Sequence, residues 1–343
     1  MNSRHANQNK TEKGRAKQVD AAVQAIMAAR RIVLAGHVNP DGDTLGCILA
    51  LAHALTGMGK EVTVLSSDGV PDIYDWLPGA GLIRNGSPRR DFDLAVVCDA
   101  GNLDRVGASI RPIMESAPCL IDIDHHVADG VFGSIRILDS SAAATAEIVW
   151  KLILALQKAT GSVLATRDVA ECLMTGLITD TGSFRFLNVT PRTFALAARL
   201  ERLGAVPAPI VDLVFENRTY GGVKLLGRAL DSLQMTADGK VAWAHVTVQD
   251  FTDVSAVDAE TEGIVNHVRA IKGVQVGILF REVPDKQVRV SLRARNGADV
   301  NRIANVFGGG GHVLAAGCSV EPPLKDVERA VVAETVRQLN ESR

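Results

Sequence analysis

The sequence predicts an α/β protein in which an N-terminal doubly wound parallel-sheet domain is followed by a smaller C-terminal α/β domain, the two being joined by a helical linker. The chain has 343 residues, whereas a single core rarely grows beyond roughly 250 to 300 residues. Short apolar runs alternate with helical segments in its first half, as in doubly wound sheets. After the turn signal Asp238-Gly239, strand-like runs return.

The N-terminal domain is expected over residues 18–194. Its apolar runs predict strands at 31–36, 61–66, 93–98 and 119–123. Apolar residues at helical spacing predict helices at 44–58, 142–158 and 167–179. The polar, basic residues 1–17 are expected to form a disordered tail, for which a solvated terminus is favoured over a contact with RNA.

The helical linker is expected over residues 195–235 and the C-terminal domain over 236–343. The second domain shows strand patterns at 241–248, 274–282 and 287–294, and helical patterns near 258–271 and 324–340.

The composition limits the classes of function. Lys and Arg number 37 against 39 Asp and Glu, and only 9 Phe, 3 Trp and 2 Tyr are present. A channel for long nucleic acid needs a basic groove with stacking rings, so long duplexes are disfavoured and short nucleotides remain open. Five cysteines without a CxxC pair, no signal peptide and no apolar run of ~20 residues predict a cytoplasmic protein without a membrane segment.

Candidate metal ligands follow several predicted strands. They are His37, Asp41 and Asp43 after the first strand, Asp99 after the third, and Asp124, His125 and His126 at the end of the fourth. Ligands of open parallel sheets bind beyond the carboxyl ends of the strands, so these clusters predict one site. Imidazole and carboxylate without thiolate suit hard to borderline divalent ions such as Mn²⁺ better than a structural zinc site.

Each of these features has a simpler reading when taken alone. Pro40-Asp41-Gly42 is usually only a turn, after which Asp43 caps the next helix. Asp180 lies at the end of a helical segment, where acidic side chains are commonly solvated. The helix dipole disfavours a negative charge at this end, and a nearby cation would offset that cost. Two consecutive histidines after an acid are poorly explained by packing. Neighbours in an extended chain point apart, so one can bind metal while the other faces substrate.

Two segments of the C-terminal domain predict anion binding. Polar and apolar residues alternate over 287–295, and one face carries Arg289, Ser291, Arg293 and Arg295. This is either a solvated strand face or a face for phosphate, since arginine offers forked donors. The glycine run 308–311 before His312 is either a flexible connector or a phosphate cradle.

At these motifs the chain resembles the DHH phosphoesterase superfamily, named for Asp124-His125-His126, in its branch with the DHH-associated C-terminal domain. The resemblance covers about residues 20–330, and the motifs occur in the family's order. It implies that His37, Asp41 and Asp99 hold one metal ion, and that Asp43, Asp99, His125 and Asp180 hold the other. Asp99 would bridge two ions, ~3.5 to 4 Å apart, that share an attacking hydroxide and clamp a phosphoryl group.

The resemblance also implies roles for other residues. Asp99, Asp124 and His126 would be the catalytic residues, with His126 near the scissile phosphate and Asp124 orienting a histidine. Substrate would be bound by Arg105, Ser291, Arg293, Gly309, Gly310 and His312. Two departures from the family's pattern are Cys47 and Ala294, which stand where the family often carries serine; the second puts one phosphate contact in doubt.

The activity implied is metal-dependent hydrolysis of short RNA oligonucleotides to mononucleotides and dephosphorylation of 3'-phosphoadenosine 5'-phosphate (pAp), with two divalent ions, Mn²⁺ first and Mg²⁺ or Co²⁺ as substitutes. The nearest alternative is a phosphodiesterase acting on cyclic di-AMP or pApA, because the motifs are shared. A regulator that binds nucleotides without turnover is a further alternative, but no ligand residue is missing. The resemblance also implies a homodimer through the sheet domain.

Overall fold

A six-stranded sheet organises each of two units in this computed structural model. The units are Met1–Asn217 and Arg218–Arg343. The structure describes residues 2–126, 130–284, 287–295, 297–321 and 323–341. The predicted fold class is confirmed, since the first sheet is parallel and the smaller second unit is also α/β.

The sheet of the first unit is parallel throughout. Its strands are β1 (Arg31–Ala35), β2 (Glu61–Leu65), β3 (Ile83–Arg84), β4 (Leu94–Cys98), β5 (Leu120–Asp124) and β6 (Ile135–Leu138). Their order is β3-β2-β1-β4-β5-β6, and all neighbouring pairs run in the same direction. The carboxyl ends of β1, β4 and β5 are therefore adjacent at one edge of the sheet.

Both faces of this sheet are buried. The helices of the first unit are α1 (Asn2–Ala28), α2 (Gly42–Gly57), α3 (Arg111–Glu115), α4 (Thr145–Thr160), α5 (Arg167–Asp180), α6 (Pro191–Arg202) and α7 (Pro207–Val211). Ile32 and Leu34 of β1 lie in a core with residues of α2, α4 and α5. Val33 and Ala35 lie in a second core with residues of α3. Burial on both faces explains why the strands read as continuous apolar runs.

Two segments differ from the sequence predictions. Residues 2–17 of the expected tail are helical, because α1 begins at Asn2 and continues to a part whose Ala22 and Ile26 are fully buried. The expected linker at 195–235 is divided between the units, with Leu200 in the core of the first and Leu225 in a core of the second. An amphipathic pattern predicts that a helix packs, but it does not identify the domain against which the helix packs.

The second unit contains a mixed sheet with helices on both faces. Its strands are β7 (Gln234–Met235), β8 (Val241–Val246), β9 (Val276–Glu282), β10 (Val288–Ala294), β11 (Gly310–His312) and β12 (Ala315–Val320), in the order β11-β12-β10-β9-β8-β7. Its helices are α8 (Tyr220–Asp231), α9 (Val248–Val254), α10 (Ile264–Arg269), α11 (Val300–Val306) and α12 (Leu324–Glu341). Among the strand pairs of this unit that lie in the described residues, β8 and β9 are parallel and the others are antiparallel.

The predicted alternation of β10 is confirmed, with apolar residues buried on one face and polar residues less buried on the other. The apolar face packs with residues of α11 and α12. The glycine run is not a flexible connector, because Gly310 and Gly311 pair with β12 in an edge strand. Within the described ranges, no helix has both the length and the apolar character needed to cross a bilayer.

Candidate functional site

Side chains able to hold a metal ion gather at the carboxyl edge of β1, β4 and β5. Three groups have ligand atoms within 4.8 Å of one another: His37 with Asp41 and Asp99, Asp43 with His125 and Asp180, and Asp99 with His125 and His126. Every residue predicted as a metal ligand belongs to one of these groups. Their assignment as ligands stays a prediction, for which this geometry is the structural basis.

Asp99 lies at the centre of the cluster and is 2% exposed. Its Oδ2 accepts a hydrogen bond from Thr44 Oγ1 at 2.9 Å, and its Oδ1 accepts one from Thr145 Oγ1 at 2.9 Å. The same Oδ2 is 3.7 Å from His37 Nε2, and Oδ1 is 3.7 Å from His125 Nε2. One carboxylate therefore contributes an oxygen to each of two neighbouring groups.

The backbone of Asp99 has a left-handed conformation, with φ of 62°. This region is uncommon for residues other than glycine, although Asp and Asn enter it more readily than most. Asp99 N donates to Ile123 O at 2.9 Å, which ties the turn after β4 to the end of β5. Unusual backbone conformations persist where surrounding structure determines them and are frequent at functional sites.

Two histidines of the cluster are oriented by hydrogen bonds to backbone carbonyls. His37 Nδ1 donates to Val38 O at 2.7 Å, and His125 Nδ1 donates to Ala142 O at 3.3 Å. Because a carbonyl oxygen can only accept, Nδ1 of each ring carries a proton, and Nε2 faces the carboxylates. Second partners of this type orient metal-binding histidines.

Asp43 is fully buried against the first turn of α4. Its Oδ2 accepts from Thr145 N at 2.6 Å and its Oδ1 from Ala146 N at 3.0 Å. The simpler reading of this motif, in which Asp43 caps the helix that follows it, does not hold. Asp41 caps α2, since its Oδ1 accepts hydrogen bonds from the backbone N–H groups of Asp43 and Thr44. Asp43 instead accepts hydrogen bonds at the amino end of α4, where a negative charge is favoured.

Two helical glycines bring α2 and α5 close together. A Cβ on Gly46 would lie 2.3 Å from Cys172 O, and a Cβ on Gly176 would lie 2.4 Å from Asp43 Oδ1. This contact places Asp180, the last residue of α5, with its Oδ2 3.1 Å from His125 Nε2. Sequence reasoning missed these glycines, although glycine inside a helix is unfavourable and often signals close packing.

The residues of the Asp-His-His motif have separate tasks. Asp124 Oδ1 accepts from His126 Nδ1 at 2.8 Å and from His126 N at 2.7 Å, and its Oδ2 accepts from Gly101 N at 2.5 Å. Burial alone would raise the pKa of Asp124, but the hydrogen bond from His126 lowers it to about 2. Burial likewise disfavours the charge of His126, yet Asp124 raises its pKa. Asp124 thus stays ionised and holds His126 in position.

The other acidic groups show the opposite behaviour. Burial, followed by the charges of Asp41 and Asp180, raises the pKa of Asp99 to about 8. Burial and the charge of Asp180 also raise the pKa of Asp43 well above its usual value. Although burial disfavours a charged His125, its hydrogen bond to Asp180 raises its pKa to about 10. The cluster has more negative charge than the protein neutralises, as expected of a divalent cation site.

The predicted substrate residues are divided between the two units. Arg105, half-buried in the first unit, donates from Nη1 to Ala100 O at 3.3 Å, beside the turn that holds Asp99. In the second unit, Ser291 and Arg293 share the less buried face of β10.

The glycine run of the second unit depends on close backbone contact. A Cβ on Gly309 would lie 2.1 Å from Gly317 O, so this position requires glycine. Gly310 and His312 are in β11, and the side chain of His312 lies outside the described part of the chain. The roles of all these residues in binding stay predictions.

Comparisons with known proteins identify the family of this chain. Residues 31–177 match the DHH family, N-terminal domain, and residues 238–340 match the DHHA1 domain. The bifunctional oligoribonuclease and PAP phosphatase NrnA of Thermus thermophilus is 32% identical over 310 residues, which are 90% of this chain and 89% of that protein.

Two further relatives are informative. A crystal structure of an exopolyphosphatase-related protein from Bacteroides fragilis superposes with a TM-score of 0.89 at 25% identity, covering 95% of this chain and 98% of that chain. The cyclic-di-AMP phosphodiesterase PdeA of Listeria monocytogenes is 26% identical over 343 residues, which are 95% of this chain and 49% of that protein. The domain matches and the Thermus relative together confirm the predicted resemblance: the chain belongs to the DHH family and carries both the DHH and the DHHA1 domain.

Proposed function

We propose that this protein is a metal-dependent phosphoesterase that hydrolyses short RNA oligonucleotides to mononucleotides and removes a phosphate from pAp. The observation that carries the proposal is the buried carboxylate of Asp99, whose two oxygens belong to two adjacent groups of metal-binding side chains. The relationship to the bifunctional oligoribonuclease and PAP phosphatase supports the choice of substrates.

The donor set fits two divalent ions. Imidazole and carboxylate groups suit Mn²⁺, with Mg²⁺ or Co²⁺ as substitutes. The residues that would hold one ion are His37, Asp41 and Asp99, which form one group. The other ion would be held by the group of Asp43, His125 and Asp180 together with Asp99, whose Oδ1 is 3.7 Å from His125 Nε2. When bound, such ions acidify water and neutralise charge on a phosphoryl group.

His126 is the residue that we assign to proton transfer. Its imidazole Nδ1 and its backbone N–H each donate a hydrogen bond to Asp124 Oδ1, and the raised pKa keeps the imidazole protonated to a higher pH than a free histidine. A cationic imidazole at a phosphoester can stabilise charge or give a proton to the leaving oxygen. Asp124 acts through His126 as a positioning residue.

Substrate binding is assigned to cations and glycines outside the metal cluster. The residues are Arg105, Ser291, Arg293, Gly309, Gly310 and His312. Guanidinium groups bind phosphate through paired donors. Burial lowers the pKa of Arg293, so a phosphate partner would offset an unfavourable buried charge.

Asp99→Asn tests the metal assignment. Asparagine tolerates the left-handed backbone, and removal of the charge relieves repulsion from Asp41 and Asp180. The variant should therefore fold as stably as the wild type in EDTA, yet bind Mn²⁺ weakly and lose about a thousandfold or more of its hydrolytic rate. Substantial hydrolysis by a folded Asp99→Asn protein would refute the assignment.

Substrate choice needs a second assay. We would compare RNA of two to five nucleotides, pAp, pApA and cyclic di-AMP in Mn²⁺, with an EDTA control, by chromatography of the products. The proposal expects the highest kcat/KM for short RNA and pAp. The similarity to PdeA makes cyclic di-AMP the rival substrate, and its dominance in this panel would overturn the proposed substrates while leaving the metal site intact.

A further inference from the structure

We propose that Asn188 is a positioning residue for the candidate metal site, because its side-chain amide ties the carboxyl end of α5, where Asp180 lies, to the segment that orients His125. Asn188 has no assigned role in binding metal or substrate, and it acts through the residues that it holds. The inference rests on the proposed function in one respect: it takes Asp180 and His125 as ligands of the same metal ion.

The amide of Asn188 connects two backbone carbonyls. Its Nδ2 donates a hydrogen bond to Ala143 O at 2.9 Å and another to Asp180 O at 3.0 Å. Both bonds are possible at once, since an amide nitrogen has two N–H donors. Asn188 is 45 residues from Ala143 in sequence, so the contact joins two segments of the first unit that only the fold brings together.

The carbonyl of Asp180 lies at the end of a helix. Asp180 is the last residue of α5, and the last carbonyls of a helix have no partner within it. The hydrogen bond from Asn188 supplies a partner and fixes the backbone from which the Asp180 side chain projects. That side chain has its Oδ2 3.1 Å from His125 Nε2. A shift of this backbone would therefore move one of the candidate ligands.

The other carbonyl belongs to a segment that supports two further candidate ligands. Ala142 O, one residue before Ala143, accepts the hydrogen bond from His125 Nδ1 at 3.3 Å. Thr145, two residues after Ala143, donates from its backbone N–H to Asp43 Oδ2 at 2.6 Å. The hydrogen bond to Ala143 thus holds the middle of a segment whose two ends contact His125 and Asp43, which form one group with the last residue of α5.

The chain between Asp180 and Asn188 makes a turn of unusual conformation. Gly182, Ser183 and Phe184 have φ values of 54°, 58° and 63°. Three successive left-handed residues are unfavourable, because the Cβ atoms of serine and phenylalanine come too close to the following carbonyl oxygen. Such a conformation persists only where surrounding contacts determine it. The turn that follows a candidate ligand therefore needs fixed ends.

Hydrogen bonds fix this turn at its start and at its end. At the start, Thr181 Oγ1 accepts from Phe184 N at 3.0 Å, and Thr181 O accepts from Phe186 N at 3.0 Å. At the end, the side chain of Asn188 returns to Asp180 O. Without the amide the closing bond is lost, and the strained turn can relax by moving the backbone of Asp180.

Positioning of a ligand and attraction of a cation by charge have opposite consequences at this residue. Asn188 is neutral and exposed, so its replacement buries no group and removes no charge from the cluster. Aspartate has the same shape as asparagine, but it directs an oxygen instead of an N–H group at the two carbonyls. It also adds a negative charge next to Asp180. Charge alone would make Asn188→Asp bind a cation more tightly, whereas a positioning role predicts weaker binding.

The test measures Mn²⁺ binding to the full-length wild type, Asn188→Asp and Asn188→Leu by titration calorimetry. Leucine is close in size to asparagine and has no donor. Both variants should bind one of the two ions about tenfold or more weakly, the scale of losing a group that orients a metal ligand, and bind the other ion with wild-type affinity. Circular dichroism in EDTA checks that both variants are folded.

Three results would overturn the proposal. Wild-type or tighter binding of both ions in either variant would mean that the amide does not position a ligand. Equal weakening of both ions would mean that Asn188 only supports the fold. The same exchanges at Asn266, which is exposed in α10 of the second unit, are the control, and a loss of Mn²⁺ affinity there as large as that at Asn188 would remove the specificity of the effect.

Hydrolysis separates this proposal from the proposed function. In both Asn188 variants, the Mn²⁺ concentration that gives half-maximal hydrolysis of pAp should rise about tenfold, in step with the loss of affinity. Selective loss of Mn²⁺ affinity in a protein that hydrolyses neither short RNA nor pAp would support the positioning role and refute the proposed function. Hydrolysis of both substrates with the same Mn²⁺ dependence in wild type and variants would refute the positioning role alone.

Discussion

Replacing Gly176 by alanine should weaken metal binding, although Gly176 has no ligand atom. The new Cβ would lie 2.4 Å from Asp43 Oδ1 and 3.1 Å from Ala146 Cβ. Asp43 cannot move freely, because Thr145 N and Ala146 N hold its two oxygens at 2.6 and 3.0 Å. The methyl group must therefore displace the carboxylate or push α5 away from α2 and α4.

The expected magnitude follows from three contributions. A methyl group forced into a packed interior costs ~1 to 3 kcal/mol, and loss of the hydrogen bond from Ala146 N to the Asp43 carboxylate costs ~1.5 to 3 kcal/mol. The higher helix propensity of alanine offsets ~1 kcal/mol of this loss of stability. The net loss is about 1.5 to 5 kcal/mol if the hydrogen bond is lost, and about 0 to 2 kcal/mol if the helices separate and the hydrogen bond survives.

The assay combines urea unfolding in EDTA with Mn²⁺ titration calorimetry. Gly176→Ala should lose stability and bind Mn²⁺ at least about tenfold more weakly. Gly227→Ala is the matched control: Gly227 lies inside α8 and its Cβ would meet nothing within 4 Å, so this variant should gain ~1 kcal/mol and keep its Mn²⁺ affinity. Wild-type stability and wild-type Mn²⁺ affinity in Gly176→Ala would refute the argument that the glycine contact positions Asp43.

Three further predictions concern donors and titrating groups. Thr145→Val removes the hydroxyl that donates to Asp99 Oδ1 and should lower kcat/KM about tenfold or more, whereas Thr145→Ser should keep most of the activity; equal losses would argue against the hydroxyl. Glu328 raises the pKa of His245, so their pairing stabilises fully below about pH 6.5 and is lost as the pH rises through the raised pKa. His245→Gln should therefore cost ~1 kcal/mol in urea unfolding near pH 6 and almost nothing near pH 9, and a cost independent of pH would contradict the pairing of charges. Mn²⁺ binding should release protons, because His125 is protonated at neutral pH; a calorimetric enthalpy identical in buffers of different ionisation enthalpy would contradict this.

The strands were predictable because their environment is uniform. A parallel strand buried on both faces must be apolar along its length, and β1, β2, β4 and β5 each begin and end within a residue or so of the predicted runs. The short edge strand β3 was not predicted, since two residues carry no recognisable pattern.

Most of the candidate metal ligands were predictable because they follow a predicted strand within a few residues. His37 follows β1 closely and Asp99 follows β4 directly, so prediction of the strands also placed these side chains. The hydroxyls that hold Asp99 were not predictable in this way. Thr44 is 55 residues from Asp99 in sequence and Thr145 is 46 residues away, and only packing of α2 and α4 on the sheet brings them into contact.

Two equally buried acids of the first unit, Asp139 and Asp99, differ in how the chain compensates their charge. Asp139, 2% exposed, is neutralised by the chain itself, with Arg15 at 2.5 Å, Arg192 at 3.0 Å and Lys151 at 3.6 Å. Burial would raise its pKa, but Ser141 and these cations lower it. Asp99 is equally buried, yet its donors are neutral threonine hydroxyls, and its pKa is raised. Neutral donors orient a carboxylate without supplying a compensating charge. The protein therefore compensates Asp139 internally, and we propose that a cation from solution compensates Asp99.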